Sequence, residues 1–170
     1  MKGRDGFVQA YNAQAAVDAE AQVILAHHLT NNASDQDGLA PLLDAVAANT
    51  EATPAEVSAD SGFCSEANLA DLAGRGIRGY VATGRAKHPD GGEAQCRGPL
   101  VSAMRRRLRR AGRRSRYRLR KQVVEPVFGQ IKAARGFQQF LLRGLEKVKH
   151  EWALICTAHN LTKLASLATG

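Results

Sequence analysis

Apolar and polar side chains alternate with a period of two near the start of the chain. Between Phe7 and Asp18 the small or apolar residues fall on one face, and Asn12, Gln14 and Asp18 fall on the other. This alternation predicts a half-buried β-strand. Residues 22–29 predict a second strand, and the short turn between the two favours an antiparallel hairpin.

After the hairpin the apolar residues follow a helical period. Asp35 to Asn49 predicts a helix, and residues 56–59 predict a short strand. Ser65 to Ala73 predicts a second helix, capped by Ser65 and stopped by Gly74, and residues 77–81 predict a further strand. Strand, helix and strand in this order predict a parallel βαβ unit. The expected fold class is therefore α/β, with a mixed sheet and flanking helices.

Two more helices are predicted in the last third of the chain. Pro126 suits the first turn of a helix and restricts Glu125 before it, so a helix should begin or kink there and end near Gly136. The last helix is expected to bury an apolar stripe against the core. That stripe consists of Leu145, Val148, Trp152, Ile155, His159 and Leu164.

The length and composition of the chain exclude several classes of protein. Its 170 residues suffice for one domain with a core, and they contain no apolar run long enough for a transmembrane helix. The N-terminus does not resemble a signal peptide. Cys64, Cys96 and Cys156 form no CxxC pair, which argues against a zinc knuckle or a disulfide framework. These features favour a cytoplasmic, nucleoid-associated protein with no membrane partner.

Charge divides the chain into two unlike halves. Residues 1–95 carry six Lys or Arg against 13 Asp or Glu, a net charge of −7, whereas residues 96–170 carry 18 against three, a net charge of +15. Such a split indicates a polyanionic partner for the second half. The acidic half is then free to supply metal ligands.

The positive charge is concentrated between Arg105 and Lys121, where 11 of 17 residues are Arg or Lys. Such a run can be a solvated helical face or a disordered basic arm. Dense like charges repel one another, however, and arginine binds phosphate in a bidentate manner. We therefore expect salt-sensitive contact with the nucleic-acid backbone. The residues expected to make it are Arg105, Arg106, Arg107, Arg109, Arg110, Arg113, Arg114, Arg116 and Arg118.

Two carboxylates stand out as candidate metal ligands. Asp60 follows a predicted strand, and ligands in open α/β sheets bind beyond the carboxyl ends of strands. Glu125 is the one acidic residue in the basic stretch from Tyr117 to Lys132. Asp60 could also be only a turn residue, and Glu125 only half of a surface ion pair. A divalent cation between them, Mg²⁺ or Mn²⁺, would suit their hard oxygen ligands.

Several segments together resemble one family, the DDE transposases of bacterial insertion sequences. The segment VSADSGFCSEANLADL is similar to the one that holds the family's second catalytic Asp, which maps to Asp60. Tyr117, Arg120, Glu125 and Lys132 stand in the order of the family's signature of Tyr, Arg, Glu and Lys. The gap from Arg120 to Glu125 is one residue longer than in that signature, and Lys121 has the expected spacing. AYNAQAAVD, AHHLTNNASDQ and EWALICTAHNLTKL are also similar to segments of this group.

The resemblance implies a ribonuclease-H-like fold and metal-dependent DNA cleavage and strand transfer. It implies that Asp60 and Glu125 hold Mg²⁺ or Mn²⁺, and that Tyr117, Arg120 or Lys121, and Lys132 position phosphates. In the family a first catalytic Asp lies on a strand upstream of the segment similar to AYNAQAAVD, and no such strand precedes Tyr11 here. We therefore expect the C-terminal portion of a transposase, with a sheet that lacks its first strand and with incomplete activity.

The expected organisation has three parts. Residues 1–84 form the sheet and carry Asp60, residues 85–121 form a basic connecting segment, and residues 122–170 form the C-terminal helices with Glu125. The expected partners are the DNA of the element ends and of the target duplex, and a second copy or a full-length transposase. An alternative function is that of a non-catalytic DNA-binding protein or regulator derived from a transposase.

Overall fold

The described strands all lie in the first half of the chain, together with two helices, and the second half is helical. The computed structural model describes residues 2–3, 6–7, 10–84, 98–111 and 120–169. The strands in these ranges are β1 (Lys2–Gly3), β2 (Gly6–Phe7), β3 (Asn12–Val17), β4 (Ile24–Thr30), β5 (Glu56–Ala59) and β6 (Arg78–Val81). The α-helices are α1 (Leu39–Thr50), α2 (Glu66–Gly74), α3 (Pro99–Ala111), α4 (Arg120–Gly129) and α5 (Leu145–Ala168).

The predicted hairpin is confirmed. Strands β3 and β4 pair antiparallel, with Asn12 opposite Thr30 and Ala15 opposite His27. The Asp18 carboxylate Oδ2 closes the turn by accepting hydrogen bonds from the backbone N–H groups of Glu20, at 3.1 Å, and Ala21, at 2.6 Å. Asp18 is thus a turn residue, as its position in the sequence indicates. Phe7 lies outside the hairpin, in the short pair that β2 forms with β1.

The βαβ unit is also confirmed. Strands β5 and β6 pair parallel, and the Ser65 hydroxyl caps α2 by accepting from the N–H of Asn68 at 3.1 Å. The predicted stop at Gly74 is confirmed, because Gly74 is the last residue of the helix. The chain reverses at Gly76, whose positive φ of 72° lets the N–H of Ile77 reach back to the carbonyl of Leu72 at 2.9 Å.

The fold class is α/β, but the expected single mixed sheet is not formed by the described residues. Their six strands make three separate two-stranded sheets. Helix α1 links the hairpin to the βαβ unit through packing instead of strand pairing. Its Leu39 and Leu43 join the apolar cluster of the βαβ unit, whereas Leu42 and Val46 pack on the hairpin residue Ala26.

The last helix covers the other face of the hairpin. Its Val148, Trp152 and Ile155 are buried with Ile24 and Leu29, and the Trp152 indole N–H donates to the carbonyl of Gln14 at 3.2 Å. The predicted apolar stripe is therefore confirmed over most of its length. The prediction for its last member, Leu164, was wrong, because that side chain is 52% exposed. The stripe ends in the buried His159, which meets the carbonyl of Gln22 in the hairpin turn.

Helix α4 begins at Arg120, so the expected start at Pro126 was wrong. It continues through Pro126 into a π-helical segment at Gln130–Ala134. Pro126 has no N–H to donate to the carbonyl of Gln122 four residues earlier. The side-chain amide of Gln22, from the hairpin turn, donates to that carbonyl instead, at 3.2 Å. The predicted end near Gly136 is confirmed, since Arg135 caps the segment and Gly136 has a positive φ of 74°. No helix in the described ranges is long and apolar enough to cross a membrane.

Candidate functional site

Asp60 lies where the sequence places it, directly after the carboxyl end of β5. Its side chain is exposed, and its Oδ1 accepts a hydrogen bond from the backbone N–H of Gly62 at 2.9 Å. This bond makes Asp60 the cap of a short 3₁₀ turn, Ser61–Phe63. The turn role and the ligand role are compatible, because a carboxylate has a second oxygen and several lone pairs.

A second carboxylate, that of Asp35, lies against the Asp60 turn. The side-chain amides of Asn12 and Gln14, both on β3, donate to Asp35 Oδ1. A Cβ atom added at Gly62 would lie 2.1 Å from Asp35 Oδ2. Sequence reasoning placed Asp35 only near the start of a helix and did not connect it with Asp60. Nothing local in the sequence signals a contact between residues so far apart.

Asn68, a buried residue, connects the turn that contains Asp35 with the turn that Asp60 begins. Its side chain is 8% exposed, and its amide nitrogen donates to the carbonyls of Gln36 and Phe63, both at 2.8 Å. Gln36 follows Asp35, and Phe63 ends the turn that Asp60 begins. The turn after β4 and the turn after β5 are therefore tied together by two separate sets of hydrogen bonds and contacts.

Glu125 and Lys132 lie on the exposed side of α4 and its π-helical extension, as predicted from their spacing. On the opposite side, Val127 and Ile131 are almost fully buried among the residues of the hairpin and α5. The Lys132 ammonium lies 6.0 Å from the centre of the Phe128 ring. The buried side of the helix fixes the backbone that carries Glu125.

The other residues of the Tyr–Arg–Glu–Lys signature remain predictions. Tyr117 lies outside the described residues, and for Arg120 and Lys121 only the helical backbone is described.

Five of the nine arginines in the predicted cluster lie on α3, which is amphipathic. Val101, Met104 and the partly buried Leu108 face the βαβ unit, so the helix presents its other side to solvent. Arg113, Arg114, Arg116 and Arg118 lie outside the described residues. The exposed arginines of α3 are Arg106, Arg107, Arg109 and Arg110, and Arg105 is half-buried. Arg107 differs from the others, because its guanidinium donates to the carbonyl of Gly79 in β6 at 3.1 Å.

The start of α3 is held by an acidic residue of α2. The Glu66 carboxylate accepts hydrogen bonds from the backbone N–H groups of Leu100, at 3.1 Å, and Val101, at 2.7 Å. An anion at this end of a helix satisfies free N–H groups and complements the helix dipole. Gly98 allows the approach, since a Cβ atom there would lie 2.2 Å from Glu66 Oε1.

The chain was compared with models of known protein families. The family model described as transposase DDE domain matches residues 1–161. The chain belongs to the transposase DDE domain family. Its function is therefore related to DNA transposition. A search of curated proteins gave no match, and neither did a search of solved structures.

A transposase DDE domain takes its name from acidic residues, and divalent metals are usual in the family. Among the described residues no three Asp, Glu, His or Cys side chains lie close enough together to hold an ion. Asp60 and Glu125 are carried by different parts of the molecule, the βαβ unit and the helix that packs on the hairpin.

Proposed function

We propose that this chain takes part in DNA transposition by cutting DNA and joining its ends, with Mg²⁺ or Mn²⁺ held by Asp60, Glu125 and a third carboxylate that completes the site. The placement of Asp60 beyond the carboxyl end of β5, in a chain of the transposase DDE domain family, carries the proposal. That edge is where ligands of open α/β sheets bind.

The donor set fits such an ion. Both side chains are exposed carboxylates, and each stands on backbone that is fixed by packing or by hydrogen bonds. Oxygen ligands of this kind suit Mg²⁺ and Mn²⁺. When bound, such an ion offsets the charge of a phosphate and lowers the pKa of an attacking water or hydroxyl. Asp60 and Glu125 would hold such an ion.

We further infer a ribonuclease-H-like arrangement of the strands. The order hairpin, helix, βαβ supports it, and joining the two strand pairs into one mixed sheet requires a strand that the described residues do not provide. A third carboxylate is proposed to come from outside the described residues or from a second chain, either another copy or a full-length transposase.

DNA contact is assigned to the basic second half. The arginines on the exposed side of α3 would bind the phosphates of the element ends and of the target duplex. Tyr117, Arg120 or Lys121, and Lys132 would position phosphates near the cut. Contacts of this kind fix the register of the duplex without reading its sequence.

Plasmid nicking in the presence of Mn²⁺ tests the proposal. We expect the wild type to nick supercoiled plasmid, EDTA to abolish nicking, and Asp60→Asn or Glu125→Gln each to lower the rate by a factor of at least about 100. The matched controls are Asp37→Asn and Glu146→Gln, whose exposed carboxylates accept hydrogen bonds from Asn32 and Lys149. The controls should nick at the wild-type rate.

Two outcomes would overturn the catalytic proposal. One is nicking that persists in Asp60→Asn and Glu125→Gln, which would assign it to another group or a contaminant. The other is the absence of nicking together with salt-sensitive DNA binding that neither substitution alters, which would leave a non-catalytic DNA-binding protein.

A further inference from the structure

Asp35 is not one of the two expected metal ligands, Asp60 and Glu125. A series of contacts nevertheless connects its carboxylate with that of Asp60. One oxygen accepts from two amides on the same face of β3, those of Asn12 and Gln14, the second at 3.1 Å. Gln14 is 5% exposed, so its amide is held in place by packing as well. The position of the Asp35 carboxylate is therefore fixed relative to the hairpin.

The other oxygen of Asp35 lies against Gly62. Any side chain at that position would overlap it, because an added Cβ atom would be 2.1 Å from Oδ2 and 3.0 Å from Cγ. A flexible carboxylate could swing away at little cost, but this one is restrained by two amides. Glycine at position 62 is therefore required for the two turns to come this close.

Gly62 is also the residue whose N–H holds the Asp60 carboxylate, at 2.9 Å. A continuous set of contacts thus runs from β3 through Asp35 and Gly62 to Asp60. Asn68 supports the same geometry from the buried side by bonding the carbonyls of Gln36 and Phe63. Partners that orient metal ligands in this way commonly change metal affinity when they are removed.

We propose that Asp35 is a positioning residue, which holds the Gly62 turn so that the Asp60 carboxylate is presented in one orientation. Asp35 acts through Gly62 and does not itself touch the DNA or the ion. The proposal rests on the proposed function for its consequence, metal binding by Asp60. Its structural part, control of the Gly62 turn, can be measured in the metal-free protein.

The experiment compares Asp35→Asn with Asp37→Asn, a nearby carboxylate on the exposed side of the same turn, which accepts from Asn32 at 3.0 Å. Amide exchange at Gly62 is followed by NMR without metal, and Mn²⁺ affinity is measured by EPR. We expect Asp35→Asn to speed Gly62 exchange and to weaken Mn²⁺ binding by about tenfold. Asp37→Asn should leave both at the wild-type level. Urea unfolding of both variants shows whether either is globally destabilised.

A Gly62→Ala substitution provides a second, independent test of the contact between Asp35 and Gly62. The added methyl group should displace the Asp35 carboxylate, and Asp35→Ala should relieve that overlap. The cost of Gly62→Ala for the free energy of unfolding should therefore be smaller in the Asp35→Ala background, a coupling that a double-mutant cycle measures.

The outcomes separate this proposal from the proposed function. Faster Gly62 exchange in Asp35→Asn, in a protein that binds no Mn²⁺ at all, would support the positioning role and overturn the metal site. Unchanged Gly62 exchange and unchanged Mn²⁺ affinity in Asp35→Asn would overturn the positioning role, as would additive effects of Gly62→Ala and Asp35→Ala. A loss of global stability without a specific change at Gly62 would reduce Asp35 to a structural residue and also overturn it.

Discussion

His159 is a fully buried titratable side chain whose hydrogen bonds fix its protonation state. The Arg135 guanidinium, which can only donate, lies 3.2 Å from Nδ1, so Nδ1 accepts. Nε2 therefore carries the proton and donates to the carbonyl of Gln22 at 3.0 Å. Burial lowers the pKa of His159. The hydrogen bond to the Gln22 carbonyl opposes this shift, and the charges of Arg135 and Lys163 add to it. The folded protein holds this imidazole neutral.

This predicts a loss of stability in mild acid. The unfolded chain takes up the proton near the ordinary pKa of about 6.5, whereas the folded protein resists it. The contribution of His159 to stability is thus fully present above that pH and is lost as the pH falls towards the lowered pKa. The free energy of unfolding in urea should drop more between pH 7.5 and 5.5 in the wild type than in His159→Gln.

His150, an exposed residue of the same helix, provides the control for that measurement. His150→Gln should keep the wild-type pH dependence. His27 also has a pKa lowered by burial, and it remains in all three proteins, so its contribution cancels in the comparison. Equal slopes in the wild type and His159→Gln would contradict the prediction.

Among the arginines of helix α3, Arg107 bonds a neighbouring strand, whereas others are exposed to solvent. Arg107 bonds β6, whereas Arg106 and Arg110 lie on the side opposite the buried Val101 and Met104. We expect Arg106→Gln and Arg110→Gln each to weaken binding to duplex DNA and to lower the salt dependence of log K by about 0.9. Fluorescence anisotropy at several salt concentrations measures both quantities.

Arg107→Gln should behave differently. Loss of its bond to Gly79 should lower the free energy of unfolding by about 1 kcal/mol, with a smaller change in the salt dependence. An identical loss of DNA affinity and of salt dependence for all three substitutions would show that α3 acts only through its total charge.

The core of the described residues is divided into apolar clusters, two of which share the partly buried Phe63. Cys64 belongs to the cluster of the βαβ unit and Trp152 to the cluster of the hairpin and α5. Phe63 packs both against the βαβ cluster and against the contacts of α1 with the hairpin. These shared contacts predict that the two halves of the core unfold together.

Two probes test that cooperativity in one protein. In a Cys96→Ser, Cys156→Ala background, the thiol of Cys64 reports on the βαβ unit and the fluorescence of Trp152, the single tryptophan, reports on the hairpin side. Both probes should show the same urea midpoint. Phe63→Ala should lower the free energy of unfolding by about 2 kcal/mol, whereas Phe137→Ala, at a 39% exposed residue, should change it little. Separate midpoints in the parent protein would contradict the prediction.

Features that depend on neighbouring residues were predictable from the sequence, and features that depend on distant ones were not. The hairpin and the Ser65 cap follow from side chains within a few positions of each other. The sequence also indicates that Pro126 interrupts the hydrogen bonds of the helix. The carbonyl of Gln122, which Pro126 cannot bond, instead accepts from Gln22, 100 residues away in the sequence. The contact of Asp35 with Gly62 likewise joins turns that only tertiary packing brings together. The position of Asp60 after a strand was predictable from the sequence, and its contacts with distant residues were not.

The hydrogen bonds between Glu66 and the start of α3 would be lost if α3 alone were transferred to another protein. On its own, the helix would lose the anion that satisfies its first N–H groups and the glycine that lets that anion approach. The smallest portable module is therefore α2 together with α3. A change in nucleic-acid affinity could originate at an acidic residue that never meets nucleic acid, and a mutational screen confined to the basic residues would overlook it.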